Sequence, residues 1–184
     1  MGNFCFDRSV ITKAKIPAKA TIIPYSCFYY CNKLTSVEFP QECKVTKIEG
    51  YAFADTKILK SINIPSSVTT LNNQAFQGSW FTELVIPETV KNIGASVFDY
   101  TECNGLETLT IKTKKEGSNV ANNIFSRLYS DGTDGDVNLI LDDSWFAADA
   151  DPNRQAKKNA DGSGTWMGQK FKSLKKLSEV TPQP

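Results

Sequence analysis

The chain has 184 residues, with 21 Lys and Arg against 20 Asp and Glu and a hydrophobic fraction of 40%. This length suffices for one domain with a sizeable core, the composition excludes a disordered chain, and the balanced charge gives no reason to expect nucleic acid or a membrane surface as the main partner. The sequence contains no histidine, which excludes the usual general base at neutral pH and the commonest metal ligand.

The first residues, MGNFCFDRSV, show neither the basic segment nor the apolar run of a signal peptide. No stretch of the chain reaches the ~20 apolar residues of a membrane helix, so we expect no membrane insertion. The cysteines are odd in number and include no C-x-x-C pair, so they do not form a fully paired disulfide framework. They are Cys5, Cys27, Cys31, Cys43 and Cys103.

A short motif recurs along the chain with the pattern apolar-x-x-apolar-x-apolar. Its copies are ITKAKIP from Ile11 (a weaker copy, with Ala14 in the middle), LTSVEFP from Leu34, LKSINIP from Leu59, FTELVIP from Phe81 and LETLTIK from Leu106. The alternation near the end of each copy predicts a half-buried strand, and the proline that follows most copies ends it. VNLIL, which ends at Leu141, is a sixth copy without the first apolar residue.

A phenylalanine precedes the end of each motif at a similar distance, and a small or mid-sized residue comes before it. These pairs are Cys5-Phe6, Cys27-Phe28, Ala52-Phe53, Ala75-Phe76 and Val97-Phe98, with Phe125 as the next anchor. Cys5 and Cys27 therefore stand in an alanine column, and we interpret them as small packing residues. One unit cannot bury its own apolar side chains, but stacked units place Phe on Phe and form a continuous core. The stretch before each Phe is too short for a regular helix and predicts a turn or a brief 3₁₀ piece.

Strings such as LKSINIPSSVTTLNNQAF and ELVIPETVKNIGASVF resemble the leucine-rich repeats of BspA-like bacterial surface proteins. The resemblance covers roughly residues 5–111 and extends loosely to 141. It implies a right-handed solenoid with short parallel strands on a concave face and turns with short 3₁₀ or helical pieces on the convex face. It also implies export to the cell surface and a role in adhesion or host-protein binding.

We expect a repeat array over residues 1–141, with five to six coils of which the first is partial. Residues 112–136 form a link longer than the others, and residues 142–184 show no repeat and predict a C-terminal cap and tail. The aromatic and leucine residues of that segment are suited to covering the last coil. They are Trp145, Phe146, Trp166, Phe171, Leu174 and Leu177.

Two acidic strings are candidate calcium sites, DGTDGD at 131–136 and DADPN at 149–153. DADPN offers oxygens at alternate positions, but Arg154 stands where an EF-hand loop has glycine and Ala160 where it has an acidic residue. Both strings are typical of solvated turns. The lysines near the end of the chain are typical of a solvated face. We therefore predict no metal site, no cofactor and no enzymatic activity.

Two surfaces are candidates for binding. The first is formed by the outward positions of the strands, whose side chains are small and mostly neutral: Ser36, Glu38, Ser61, Asn63, Glu83, Val85, Thr108 and Thr110, with Lys13 and Lys15 in the weaker first copy. The second consists of the lateral aromatic residues Tyr29, Tyr30 and Trp80, which either bind a partner or pack between turns. The predicted function is a non-catalytic protein-binding or adhesion module of a secreted or cell-surface protein, with an extracellular or host protein as partner. The alternative is a glycan-binding or structural stalk module, suggested by the small polar side chains of the strand face.

Overall fold

The computed structural model describes residues 1–99, 106–125, 137–167 and 169–181. Its strands, in chain order, are β1 (Lys13–Lys15), β2 (Ile22–Ile23), β3 (Ser36–Glu38), β4 (Lys47–Ile48), β5 (Thr70–Leu71), β6 (Glu83–Ile86), β7 (Asn92–Ile93), β8 (Thr108–Ile111), β9 (Asn119–Val120), β10 (Asn138–Leu141), β11 (Lys157–Lys158), β12 (Gly164–Trp166), β13 (Gln169–Phe171) and β14 (Ser173–Lys176). Two 3₁₀ helices span Asp143–Phe146 and Pro152–Arg154, and helix α1 spans Leu177–Val180. None of the helices in these described ranges has the length and apolar character needed to cross a membrane.

The predicted motifs form a parallel ladder, which we call the strand ladder. β1 pairs with β3, and β6, β8, β10 and β14 form one sheet in which residues at equal motif positions stand opposite one another. The copy at 59–64 lies between these sheets without strand hydrogen bonding, but Ile62 and Ile64 are buried while Ser61 and Asn63 are exposed. The alternation predicted from the sequence is therefore present in this copy as well. The fold is a leucine-rich repeat solenoid.

A second parallel ladder runs along the stretch before each Phe. β2, β4, β5, β7 and β9 pair in that order, and their buried residues Ile23, Ile48, Leu71, Ile93 and Val120 stand in register. Each strand has two residues and leads into a turn, so in the described coils, of the two expected alternatives, the turn is present and the 3₁₀ piece is not. Within the described ranges, both 3₁₀ helices lie after residue 142.

In the turn around the second Phe of the file, successive backbone N–H groups donate alternately to the following coil and to their own coil. In the second coil, the N–H groups of Ser26, Phe28 and Tyr30 donate to carbonyls of the following coil at 2.8–3.0 Å. The N–H groups of the residues between and after them, Cys27, Tyr29 and Cys31, donate to carbonyls of their own coil. This alternation satisfies the buried backbone without helix or strand, as a packed interior requires.

The phenylalanines stack in file between the two ladders. The ring centroids of Phe6, Phe28, Phe53, Phe76 and Phe98 follow one another at 5.2–6.4 Å with interplanar angles of 9–19°. Phe125 continues the file at 5.6 Å with its ring tilted by 36°. From Phe28 to Phe125 these rings are almost completely buried. The predicted file of aromatic side chains is confirmed and forms the axis of the core.

The last segment closes this file and extends the strand ladder. Phe171 and Trp166 meet the ring of Phe125 edge-on at 5.6 and 6.1 Å, and Trp145 packs against Trp166 at 5.0 Å. β14 pairs in parallel with β10, with Leu174 opposite Leu139. Although the sequence shows no repeat after 141, a seventh row thus stands in the register of the motif. β11, β12 and β13 form a small antiparallel sheet beside it.

Candidate functional site

The outward positions of the strand ladder form two columns, as the sequence predicts. The register places Lys13 opposite Ser36 and Lys15 opposite Glu38, and further along it aligns Glu83 with Thr108 and Val85 with Thr110. Lys15 and Glu38 form an exposed ion pair at 3.3 Å, and exposed pairs of this kind contribute little to stability. The columns are a polar face with a single exposed apolar residue of note, Val85, in the described part of the ladder.

The exposure of the predicted residues along these columns is uneven. Glu38, Ser61, Asn63, Glu83 and Val85 are exposed, and Ser36 and Thr108 are half-buried. Thr110 is buried, at 9% exposure, and offers little surface to a partner. The columns also continue further than the sequence indicates, through Asn138 and Ile140 to Ser173 and Lys175. An alignment of FKSLKK at Phe171 with FTELVI at Phe81 is the sequence signal for this extension.

Aromatic side chains cluster on the side of the solenoid at the first three Phe turns. We call this group the aromatic cluster: Phe4, Tyr25, Tyr29, Tyr30 and Tyr51. Tyr25 meets Phe4 edge-on at 5.5 Å and Tyr51 at 5.7 Å, and Tyr29 lies 6.3 Å from Tyr51 and 6.2 Å from Tyr30. Phe4, Tyr25 and Tyr30 remain 40–54% exposed. The rings therefore both pack between turns and present a joint surface, and Phe4 and Tyr51 are members that sequence reasoning missed.

Trp80 lies apart from this cluster and is half-buried. The ammonium groups of Lys57 and Lys60 stand 5.7 and 5.4 Å from its ring centroid, within the range of cation–π attraction. Phe81, the next residue, is fully buried and meets Phe76 edge-on. Tyr100, which the sequence places at the corresponding bend, lies outside the described residues.

A cleft of about 350 Å³ adjoins the aromatic cluster. It is lined by residues that directly follow the second-ladder strands β2, β4 and β5: Tyr25, Glu49, Gly50, Tyr51, Asn72, Asn73 and Gln74. The Asn72 amide donates to the Glu49 carboxylate, and the Asn73 side-chain oxygen accepts from the backbone N–H of Ala95 at 3.0 Å. We call this cleft of seven lining residues the tyrosine cleft. Sequence reasoning missed it, because its residues come from three separate coils.

The cysteines of the described residues have structural positions. Burial raises the pKa of the Cys27 thiol to about 12 and also raises that of Cys31, whose Sγ donates to the carbonyl of Phe6 at 2.9 Å. Thiols with raised pKa are poor nucleophiles at neutral pH. Cys27 packs as the alanine column predicts, whereas Cys5 is exposed, and Cys103 lies outside the described residues.

The acidic residues of DADPN serve the local backbone. Asp149 accepts from the N–H of Asp151, and Asp151 accepts from the N–H of Asn153. Asp149 also pairs with Lys115 at 2.9 Å. The pKa of the Asp149 carboxyl group is lowered, first by the hydrogen bond from the Asp151 N–H and second by Lys115. In the described residues no group of three or more acidic or cysteine side chains is arranged to hold a metal ion. DGTDGD lies outside the described residues.

Comparison with protein families gives a direct match over most of the chain. The model of the BspA type leucine-rich repeat region matches residues 1–130 in six copies. No curated protein matches the sequence.

Two solved structures share features with this fold. A leucine-rich repeat protein from Bacteroides ovatus ATCC 8483 is 19% identical, with a TM-score of 0.51, over 96% of this chain and 54% of that protein. A leucine rich cell surface protein from Faecalibacterium prausnitzii A2-165 is 23% identical, with a TM-score of 0.37, over 61% of this chain and 42% of that protein. The first likeness shows a common fold, and the chain spans about half the length of these proteins.

Proposed function

Because the chain belongs to the BspA type leucine-rich repeat family, we propose that it is a protein-interaction module of an extracellular or cell-surface protein, where it serves adhesion to a host or neighbouring-cell protein. The observation that carries this proposal is the aromatic cluster. Tyrosine presents a large contact area at low entropic cost and is enriched in the energetic centres of interfaces. A group of exposed rings on the side of a rigid solenoid is therefore suited to anchoring a protein partner.

The strand ladder supports the same proposal as a complementary surface. Its strands have three or four residues, so seven rows at ~4.8 Å spacing give a face on the order of 300–450 Å². A standard interface takes ~800 Å² per partner. The strand face alone is too small for a tight complex, and the aromatic cluster supplies the area and the apolar anchors that the polar columns lack.

We further propose that the module has no catalytic activity. In the described part of the chain, the carboxyl groups of Asp143, Asp149, Asp161 and Glu179 have lowered pKa values, each caused first by a hydrogen bond. A general acid needs the opposite shift. The buried thiols of Cys27 and Cys31 are likewise held in the protonated form.

Binding to immobilised host extracellular-matrix proteins tests the proposal, first with a panel of purified proteins and then with dissociation constants for the partner found. We expect Tyr30→Ala to weaken binding at least tenfold, because truncating a central interface tyrosine removes ~2 kcal/mol or more. Tyr30 is 43% exposed, so the substitution leaves the core intact.

Two comparison variants separate the two surfaces. Val85→Ser changes the one prominent apolar side chain of the strand face and is expected to weaken binding only a few-fold. Val180→Ala, on helix α1, changes an exposed apolar residue of the last segment and should leave binding unchanged. Absence of any saturable partner in the panel, or equal effects of all three substitutions, would contradict a role for the aromatic cluster in protein binding.

A further inference from the structure

The tyrosine cleft lies where one column of the turns has a glycine between a tyrosine and an asparagine. The register of the second ladder aligns Ile23, Ile48 and Leu71, so the residues two positions later also stand side by side. These are Tyr25, Gly50 and Asn73. Since Gly50 has no side chain, the Tyr25 ring and the Asn73 backbone both pack closely against it. A methyl group at Gly50 would lie 3.1 Å from the Asn73 carbonyl oxygen and 3.3 Å from the Tyr25 ring.

The lining of the tyrosine cleft combines ring surfaces with hydrogen-bond donors and acceptors. Tyr25 and Tyr51 form an aromatic corner at an interplanar angle of 73°. Because the Asn73 oxygen is engaged by Ala95, its amide nitrogen remains as a donor, and because the Asn72 nitrogen is engaged by Glu49, its oxygen remains as an acceptor. The two phenol groups can each donate and accept. The chemistry of the cleft thus matches hydroxyl groups, which also donate and accept.

We propose that the tyrosine cleft is a binding site for a neutral carbohydrate. A sugar ring carries a less polar C–H face that packs on an aromatic ring and a rim of hydroxyl groups that pair with amides, phenols and a carboxylate. The volume of about 350 Å³ lies near the lower end of the ~300–1,000 Å³ range of small-molecule sites, which suits one or two sugar units.

The charge of the lining favours a neutral sugar over an acidic one. Glu49 is the one ionisable acid or base among the lining residues apart from the tyrosine phenols, and the lining has no lysine or arginine. An anionic ligand would meet the carboxylate without a compensating cation. The site is distinct from the strand face and goes beyond the proposed protein binding, since saccharide binding does not require a protein partner.

Titration of the full chain with free saccharides, followed by NMR chemical shifts and saturation transfer, tests the proposal. The panel comprises glucose, galactose, mannose, N-acetylglucosamine and β-linked disaccharides of these sugars, with N-acetylneuraminic acid and a blocked alanine tripeptide as comparison probes. We expect saturable binding of at least one neutral saccharide with a dissociation constant on the order of a millimolar, as is usual for a small ligand in an open cleft. The acidic sugar and the peptide should bind at least tenfold more weakly.

Glycine and tyrosine variants connect that binding to the cleft. Gly50→Ala, at an ordinary φ, crowds the Tyr25 ring and the Asn73 backbone in the cleft, and Tyr25→Ala removes the aromatic wall; each should weaken binding about tenfold or more. Gly117→Ala is the control outside the cleft: its φ of +70° adds backbone strain, but a methyl group there meets nothing within 4 Å. Thermal unfolding shows which variants remain folded, and Tyr25→Ala, at a position 40% exposed, remains informative if Gly50→Ala is destabilised.

The outcomes decide this proposal separately from protein binding. If no neutral saccharide binds, if the tripeptide binds better, or if both cleft variants bind as the wild type does, the proposal is overturned. The protein-binding assay is run on the same variants. Protein binding without saccharide binding would refute the carbohydrate site and leave the adhesion proposal intact. Saccharide binding without protein binding would refute the adhesion proposal and leave the carbohydrate site intact.

Discussion

Phe6, Phe28, Phe53 and Phe76 are flanked by residues with a left-handed backbone two positions before and two positions after, and Phe98 has such a residue two positions before it. The residues before are Phe4, Ser26, Tyr51, Gln74 and Ser96, and those after are Arg8, Tyr30, Asp55 and Gly78. For a residue other than glycine this conformation costs ~1–2 kcal/mol. The cost is offset because the N–H groups at these positions other than Tyr51 donate to the neighbouring coil, as those of Ser26 and Asp55 do at 3.0 and 2.8 Å. At Tyr30 and Tyr51 the same geometry turns the chain where the aromatic cluster lies.

Gly78 provides a test of this backbone geometry. Its φ is +64°, and a methyl group there would come within 2.3 Å of the Asp55 carboxylate. We expect Gly78→Ala to lower the free energy of unfolding by ~2–4 kcal/mol, since left-handed strain and a steric clash act together. Gly117→Ala, at φ +70° in open space, should cost only the strain of ~1 kcal/mol. Urea unfolding measures both, and equal losses would show that the contact with Asp55 has no effect.

At the scale of elements, the stacked phenylalanines are the main source of cohesion between coils. Phe53 is fully buried between Phe28 and Phe76, whereas Phe6 is half-buried and has a ring neighbour on one side. Phe53→Ala is therefore expected to cost ~3–5 kcal/mol, the usual range for a buried aromatic residue. Phe6→Ala should cost markedly less. Thermal unfolding followed by circular dichroism makes the comparison, and a larger loss for Phe6→Ala would contradict the stacked core.

The sequence predicts the elements whose pattern repeats along the chain. The Phe file and the strand ladder follow from side chains that recur at similar spacings, and the register of Leu139 with Leu109 confirms the sixth copy. The second ladder is not predicted, because two-residue strands are too short to show an alternation. β14 is also missed, because Lys176 stands opposite Leu141 where the other copies have an apolar residue.

The candidate site is predicted only in part, for a related reason. Tyr29, Tyr30 and Trp80 are identified as lateral aromatic residues because they adjoin the Phe turns. The tyrosine cleft depends on what stands beside Gly50 in the neighbouring coils, and that is a relation across the chain. A column-by-column alignment of the coils, in which Gly50 stands between Tyr25 and Asn73, would have indicated the tyrosine cleft.

At the scale of the whole molecule, one lysine links the repeats to the last segment. The Lys115 ammonium group pairs with Asp149 and donates to the carbonyls of Ala147 and Ala148 at 3.1 and 3.3 Å. Its backbone N–H donates to Ser144 at 2.8 Å. The side chains of Lys115 and Asp149 are only 14% and 17% exposed. Together with the indole N–H of Trp145, which donates to the Thr113 carbonyl, these bonds hold the segment that closes the Phe file.

This link predicts a dependence of stability on acid. The lowered pKa of Asp149 means that its contribution is fully present above the ordinary value of 3.8 and is lost as the pH falls through the lower value of the folded state. Asp149→Asn keeps the shape and an acceptor for the Asp151 N–H but removes the charge. The variant should melt at a lower temperature than the wild type at pH 7, and the difference should shrink below about pH 4. A difference that persists unchanged at pH 2.5 would exclude this pair as the cause.

The alternating hydrogen bonds of the Phe turns also constrain how such a chain can change in evolution. A single inserted residue within a turn would shift the residues after it by one position. The N–H groups that donate to the following coil and those that donate to their own coil would then change places, and both sets of hydrogen bonds would be lost. Insertions between the turn and the next strand carry no such penalty, and the lengths of successive coils already differ there. We therefore expect changes in chain length to accumulate in the connecting segments, while the alternation of hydrogen bonds within each turn is kept.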